Sequence, residues 1–281
     1  MTYQPREIPE DINVNVTKIN PLVNLGYLVG TVAVFGVAAY LSLGVIATQL
    51  TIRMSPEREH KMGQAMVKSN IISAEDISTK QVKQLEHLQE LLVELNDGEP
   101  ENRSIPLQVH LMQNDIANAF AFPGGQIVVT TGLLEEVESE NEIAFVLAHE
   151  LGHHAGRDSL ERLGRSIVLI FIGTAIGIGS GNSDFIINTA SLEYLHHGRT
   201  QESAADSYAL EKVIQHYGHG KASLDFFERI EKEKKDPRNK VDVYFSTHPL
   251  TEARINDLNK IATEKDWQMQ GEVTKLPEDI F

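Results

Sequence analysis

Ala144 to Asp158 reads AFVLAHELGHHAGRD, and the fold turns on this stretch being a helix. Ser139 and Glu142 ahead of it have the S-x-x-E spacing of a capping box, and Ile143, Val146, Leu147 and Leu151 recur on one face. A helix from Ser139 to about Gly156 is therefore expected. On it, His149 and His153 stand one turn apart with Glu150 beside them. This H-E-x-x-H spacing lets two imidazoles reach one ion at about 2.0–2.1 Å and leaves the carboxylate free as a base. His154 lies about 100° further round and is not expected to share the ion.

The chain contains no cysteine, so a third strong ligand must be a histidine or a carboxylate. RTQESAAD, Arg199 to Asp206, supplies a candidate in Glu202, with Asp206 one helical turn on. Asp206 could accept the far N–H of a ligating imidazole and fix its tautomer. The competing reading of two acids four apart is a solvated helix face. His110, His196, His197, His216 and His219 have no ligand-like neighbour in the sequence and are expected at the surface or in structural roles.

Upstream, Ile77 to Leu95 places Val82, Leu85, Leu88, Leu92 and Leu95 at helical spacing. After a break at Asp97, Gly98 and Pro100, IPLQVHLM (Ile105 to Met112) alternates as a half-buried strand does. NAFAF (Asn118 to Phe122) and QIVVTT (Gln126 to Thr131) flank the turn Pro123-Gly124-Gly125, so a small antiparallel sheet is expected. Downstream, helices are expected over about Leu160 to Ile178, Ser191 to Tyr217, Lys221 to Lys235 and Pro249 to Thr263.

At the other end, Tyr27 to Leu50 is 24 residues without a charge, about 36 Å as a helix and enough to cross a hydrocarbon core. The polar residues before it and the lack of a small-x-small cleavage site favour an uncleaved anchor over a signal peptide. Lys18 precedes it, whereas Arg53, Arg58, Lys61 and Lys68 follow, a bias that places the following domain in the cytoplasm. Ser166 to Ser183 is also uncharged but contains Gly173, Gly177, Gly179 and Gly181. It is expected to pack on the domain or dip into the bilayer face, the alternative being a membrane hairpin. The chain thus divides into a polar segment (1–26), an anchor (27–50), a helical linker (51–74), a catalytic domain (75–265) and a C-terminal tail (266–281). The net charge of −15 over 281 residues disfavours nucleic-acid partners.

Four blocks in this order, NAFAFPGGQIVVTTGLL (Asn118 to Leu134), HELGHH, RTQESAAD and STHPLTEARI (Ser246 to Ile255), resemble the membrane-associated gluzincin endopeptidases. That group includes bacterial HtpX, the mitochondrial inner-membrane Oma protease and the CAAX prenyl proteases. The resemblance implies an α+β, mostly helical zincin-type domain with one Zn2+ per subunit, held by His149, His153 and Glu202, with Glu150 as general base. It also implies that Asn118 and Ala119 belong to an edge strand that pairs with an extended substrate, as β-augmentation does. His248 is implied as an oxyanion stabiliser, and Arg254 as a structural tie to the glutamate helix. Polypeptides at the bilayer surface are the implied substrates; one anchor speaks against the many-span prenyl-protease branch. The alternatives are a catalytically latent scaffold and a hydrolase of non-peptide amides.

Overall fold

The protein is described here from a computed structural model, which describes residues 20–70, 78–98, 105–164, 197–233, 248, 252–278 and 280–281. Helix α1 (Pro21–Ile52) carries the apolar run; its window Pro21–Ser42 has a mean hydropathy of 1.9, and none of it is buried. It is long and apolar enough to cross a membrane, and extends beyond Tyr27 and Leu50 at both ends. A short turn leads into α2 (Pro56–Asn70), followed by α3 (Thr79–Leu95), whose N-terminus closes with a full capping box between Ser78 and Gln81.

Strands β1 (Gln108–Met112), β2 (Ala119–Phe122) and β3 (Gln126–Thr130) form one sheet in the order β1-β3-β2. The sheet is mixed, which corrects the antiparallel expectation: β2 and β3 form the predicted hairpin, but β1 runs parallel to β3. Burial explains the arrangement. Ile127, Val128 and Val129 are fully buried, so β3 takes the centre, while β1, alternating exposed and buried residues, takes an edge. The crossing between β1 and β2 is pinned by Thr131 Oγ1, which donates to the Asn114 carbonyl (2.9 Å) and accepts the Asn114 N–H (3.0 Å).

Helix α2 lies against the β2–β3 hairpin at very short range. A Cβ on Gly63 would fall 1.8 Å from the Pro123 carbonyl oxygen, and Gly124, at φ +74°, abuts the Glu59 backbone. Only glycine meets both demands at Gly124.

Helix α4 (Thr131–Glu136) leads to α5 (Glu140–Gly156), which is buried from Asn141 to Leu151 and again at His153. The Ser139 hydroxyl accepts the Glu142 N–H at 3.3 Å. The reciprocal half of the expected box is absent, because the Glu142 carboxylate accepts the Glu138 N–H (2.9 Å) and two bonds from Arg229 (3.1 and 2.8 Å). Residues 158–164 are helical as well, and helices α6 (Arg199–Tyr217), α7 (Asp225–Glu233) and α8 (Glu252–Glu264) follow. Phe145 of α5 meets Phe227 of α7 edge to face at 5.3 Å. The C-terminal segment is packed along the domain: Trp267, Met269, Leu276 and Phe281 lean on the core, and the Thr274 carbonyl accepts the Glu140 N–H at 3.0 Å. The apolar stretch Ser166 to Ser183 and most of the helix expected over Leu160 to Ile178 lie outside the described residues, as does Ser191 to His196.

Candidate metal centre

Helices α5 and α6 cross at Gly152, where an added Cβ would stand 2.8 Å from Ala205 Cα. This close approach brings Glu202 of α6 onto the two histidines of α5. His149 Nε2 and His153 Nε2 are 3.0 Å apart. Glu202 Oε2 lies 3.5 Å from the first and Oε1 3.4 Å from the second. Ligand bonds of about 2.0–2.1 Å in a tetrahedron imply ligand–ligand edges of about 3.3–3.4 Å, so this triangle has nearly the dimensions of one face of a four-coordinate site. All three side chains are buried.

The outer partners fix the tautomers. His149 Nδ1 is 3.0 Å from Asp206 Oδ1, and His153 Nδ1 is 2.8 Å from Asp158 Oδ2. A carboxylate can only accept, so these contacts favour a proton on each Nδ1 and a lone pair on each Nε2. Two lone pairs facing one another at 3.0 Å require a positive charge between them. Burial opposes charge on His149, but hydrogen bonds to Asp206 and Glu202 prevail and hold its pKa up to about 10. Glu202 is likewise held well below the usual carboxylate range, against its burial, by His248, His149 and His153. The group could hold a cation, and its N,N,O donor set would fit zinc.

Glu150 is fully buried, and neither carboxylate oxygen has a hydrogen-bond partner among the described residues. Its Oε1 lies 3.4 Å from His248 Nε2. His248 also approaches the same cluster, with Nδ1 3.2 Å from both His149 Nε2 and Glu202 Oε1. Burial lowers its pKa. Arg254 ties α8 to α6: it donates to both oxygens of Asp206 at 2.7 Å and lies 2.8 Å from Glu202 Oε2.

On the sheet, the Asn118 carbonyl accepts the Thr130 N–H (3.0 Å), and the Asn118 N–H donates to Thr130 Oγ1 (2.8 Å). The alternation of an antiparallel ladder then turns the main chain of Ala119 and Ala121 toward the edge of β2 that no other strand pairs among the described residues. Asn118 Oδ1 accepts the Ala119 N–H at 3.0 Å, and Ser159 Oγ donates to the Ala121 carbonyl. Asn118 thus faces into the sheet, and Ala119 outward.

Two residues near the site have no motif to announce them. Asp158 follows a turn, and only the path of that turn aims it at His153; its Oδ1 accepts from Gln201 of α6 at 2.9 Å. His197 is buried, not superficial: its ring stacks on His153 with centroids 3.5 Å apart and 16° between planes. Its Nε2 contacts the Arg162 guanidinium. Burial first, then His153 and Arg162, push the His197 pKa well down and keep it neutral. His154 is outside the candidate ligand group, and His110 binds Gln126 at 2.9 Å on the far side of the sheet.

A family model described as Peptidase family M48 matches residues 81–262. The chain is 26% identical over 178 residues to the mitochondrial metalloendopeptidase OMA1 of Schizosaccharomyces pombe, covering 62% of this chain and 50% of that protein. It is 28% identical over 222 residues to the mitochondrial metalloendopeptidase OMA1 of Bos taurus, covering 74% and 42%. With the beta-barrel assembly-enhancing protease of Escherichia coli K12 it shares 27% over 190 residues, covering 63% and 38%. The chain therefore spans half or less of the length of these relatives.

Proposed function

The chain belongs to peptidase family M48, and from that premise we propose that it is a membrane-anchored zinc endopeptidase that hydrolyses internal peptide bonds. His149, His153 and Glu202 hold one zinc ion in this reading, and Asp206 and Asp158 orient the two imidazoles. The observation that carries it is the pair of Nε2 atoms 3.0 Å apart, each made a lone-pair donor by the carboxylate on its Nδ1. A bound zinc would supply Lewis acidity to a water and to the scissile carbonyl.

The protein's own residues do the rest. Glu150, buried and without a hydrogen-bond partner among the described residues, takes the proton of the attacking water and passes it to the leaving amine nitrogen. His248, within reach of the same carboxylate, donates to the developing oxyanion. The outward carbonyl of Ala119, beside Asn118, pairs with an extended substrate, a mode indifferent to substrate side chains. With α1 in the bilayer and Arg53, Arg58, Lys61 and Lys68 after it, the domain faces the cytoplasm. Misfolded or unassembled membrane-associated polypeptides are then the substrates.

A second reading rests on His248, whose Nδ1 stands 3.2 Å from two of the metal-facing atoms. As a fourth ligand it would close the site, as in structural zinc centres, and the protein would rest latent. Cleavage of an unfolded protein such as casein by the detergent-purified chain tests both. Wild type should cleave and lose activity to a chelator, while Glu150→Gln should bind zinc and not cleave. His248→Ala should slow cleavage if His248 stabilises the oxyanion, and quicken it if His248 closes the site. Loss of zinc from Glu150→Gln would remove Glu150 from the role of base.

A further inference from the structure

Helix α5 ends at Gly156, and Arg157 then takes φ 57° and ψ 29°, a left-handed conformation that side chains other than glycine seldom adopt. This one residue decides where Asp158 goes. A continued helix would carry Asp158 about 140° around the axis from His153. The reversal instead brings Asp158 Oδ2 to 2.8 Å from His153 Nδ1.

Arg157 is held from a distant part of the chain. Its Nη2 donates to Glu59 Oε2 at 2.5 Å and to the Met54 carbonyl at 3.3 Å. Glu59, on α2, is 1% exposed. Its other oxygen, Oε1, accepts the Gly124 N–H at 3.2 Å, so the carboxylate is fixed by the hairpin turn on one side and grips the guanidinium on the other. Rotating Arg157 back into a helical conformation would strand a buried charge, a strong restraint on its backbone.

We infer that Glu59 is a positioning residue of the metal centre, acting through the left-handed Arg157 and through Asp158 on His153. The first helix after the membrane helix is thereby part of the support of the active site, although it precedes the domain that the family shares. This inference rests on the reading of His149, His153 and Glu202 as metal ligands.

The test uses the full chain in detergent, stripped of metal, then titrated with zinc and separately loaded with cobalt, whose visible absorption reports ligand geometry. Glu59→Gln keeps the shape and the acceptor for Gly124 but removes the charge. It should weaken zinc binding about tenfold, the lower end of the range for outer partners of a ligand, and alter the cobalt bands. In Glu59→Gln/Arg157→Gly, glycine enters the left-handed region unaided, so zinc affinity and cobalt bands should return toward wild type. A role in general stability alone would make the double variant worse than the single one. Unchanged affinity and bands in Glu59→Gln overturn the inference, as does a double variant that restores neither. Should Glu59→Gln fail to fold, the double variant decides: wild-type-like affinity and bands support the inference, and a tenfold deficit overturns it. A wild type that binds neither metal sinks the ligand assignment itself and this inference with it. A wild type that binds zinc as Glu59→Gln does sinks only the role of Glu59.

Discussion

The two histidines of α5 are four residues apart on one helix, yet they are supported in opposite ways. His149 leans on Asp206, which sits in the interior of α6 and is gripped by both prongs of Arg254. His153 leans on Asp158, which follows a left-handed residue and shares its second oxygen with Gln201. One support is made of helix-to-helix packing and a buried ion pair. The other is made of a backbone turn held by a side chain from α2. A rigid arm and an adjustable arm thus meet at the candidate metal site, and it is the second that a side chain from α2 reaches.

The largest effect should come from breaking the rigid arm. Arg254→Ala leaves the Glu202 and Asp206 carboxylates buried without their shared guanidinium, and should destabilise the metal-free protein by about 3–5 kcal/mol. Chemical denaturation of the stripped protein measures it, and a change below about 1 kcal/mol would show that Arg254 is not the tie. A finer comparison sets Asp206→Asn against Asp158→Asn in zinc affinity. Outer carboxylates of this kind are worth about 10–100-fold. Asp206 should fall near the upper end and Asp158 near the lower, because Asp158 still has its bond to Gln201; equal losses would erase the distinction between the arms.

A third test is in protons. The His149 pKa is raised to about 10 in the metal-free protein, above its usual value of about 6.5. Its contribution to stability is fully present below about pH 6.5 and is lost as pH rises through about 10. The stripped protein should therefore lose thermal stability between pH 7 and 10, while the zinc-loaded protein does not. Zinc uptake at pH 7 should release about one proton, measurable by calorimetry in buffers of different ionisation enthalpy. No release would mean that the two Nε2 atoms do not share a proton when metal is absent.

The rigid arm was legible in the sequence, and the adjustable arm was not. His149, His153, Glu202 and Asp206 come together because helical spacing is a strong local code, and Glu202 and Asp206 repeat it one turn apart. Asp158 lies five residues past His153, a spacing that puts it on another face of any continuous helix. Only the φ of Arg157 undoes that, and the glycine beside it, Gly156, is the last helical residue and not the left-handed one. The burial of His197 against His153 was not legible, because stacking leaves no periodic trace. The β2–β3 hairpin was readable from Pro123-Gly124-Gly125. The parallel pairing of β1 with β3 was not, since it is decided by which strand is most apolar and not by any turn. That the Glu142 carboxylate would serve Arg229 instead of Ser139 likewise depended on a residue 87 positions away.

The turn between α1 and α2 adds a geometric consequence. Arg157 reaches the Met54 carbonyl, two residues beyond the end of α1, and His153 is four residues back along α5, about 6 Å at 1.5 Å per residue. With α1 across a bilayer, the reactive centre would ride at a set height above the headgroups. In the proposed reading, the distance of a peptide bond from the membrane surface would then bear on whether it reaches the site.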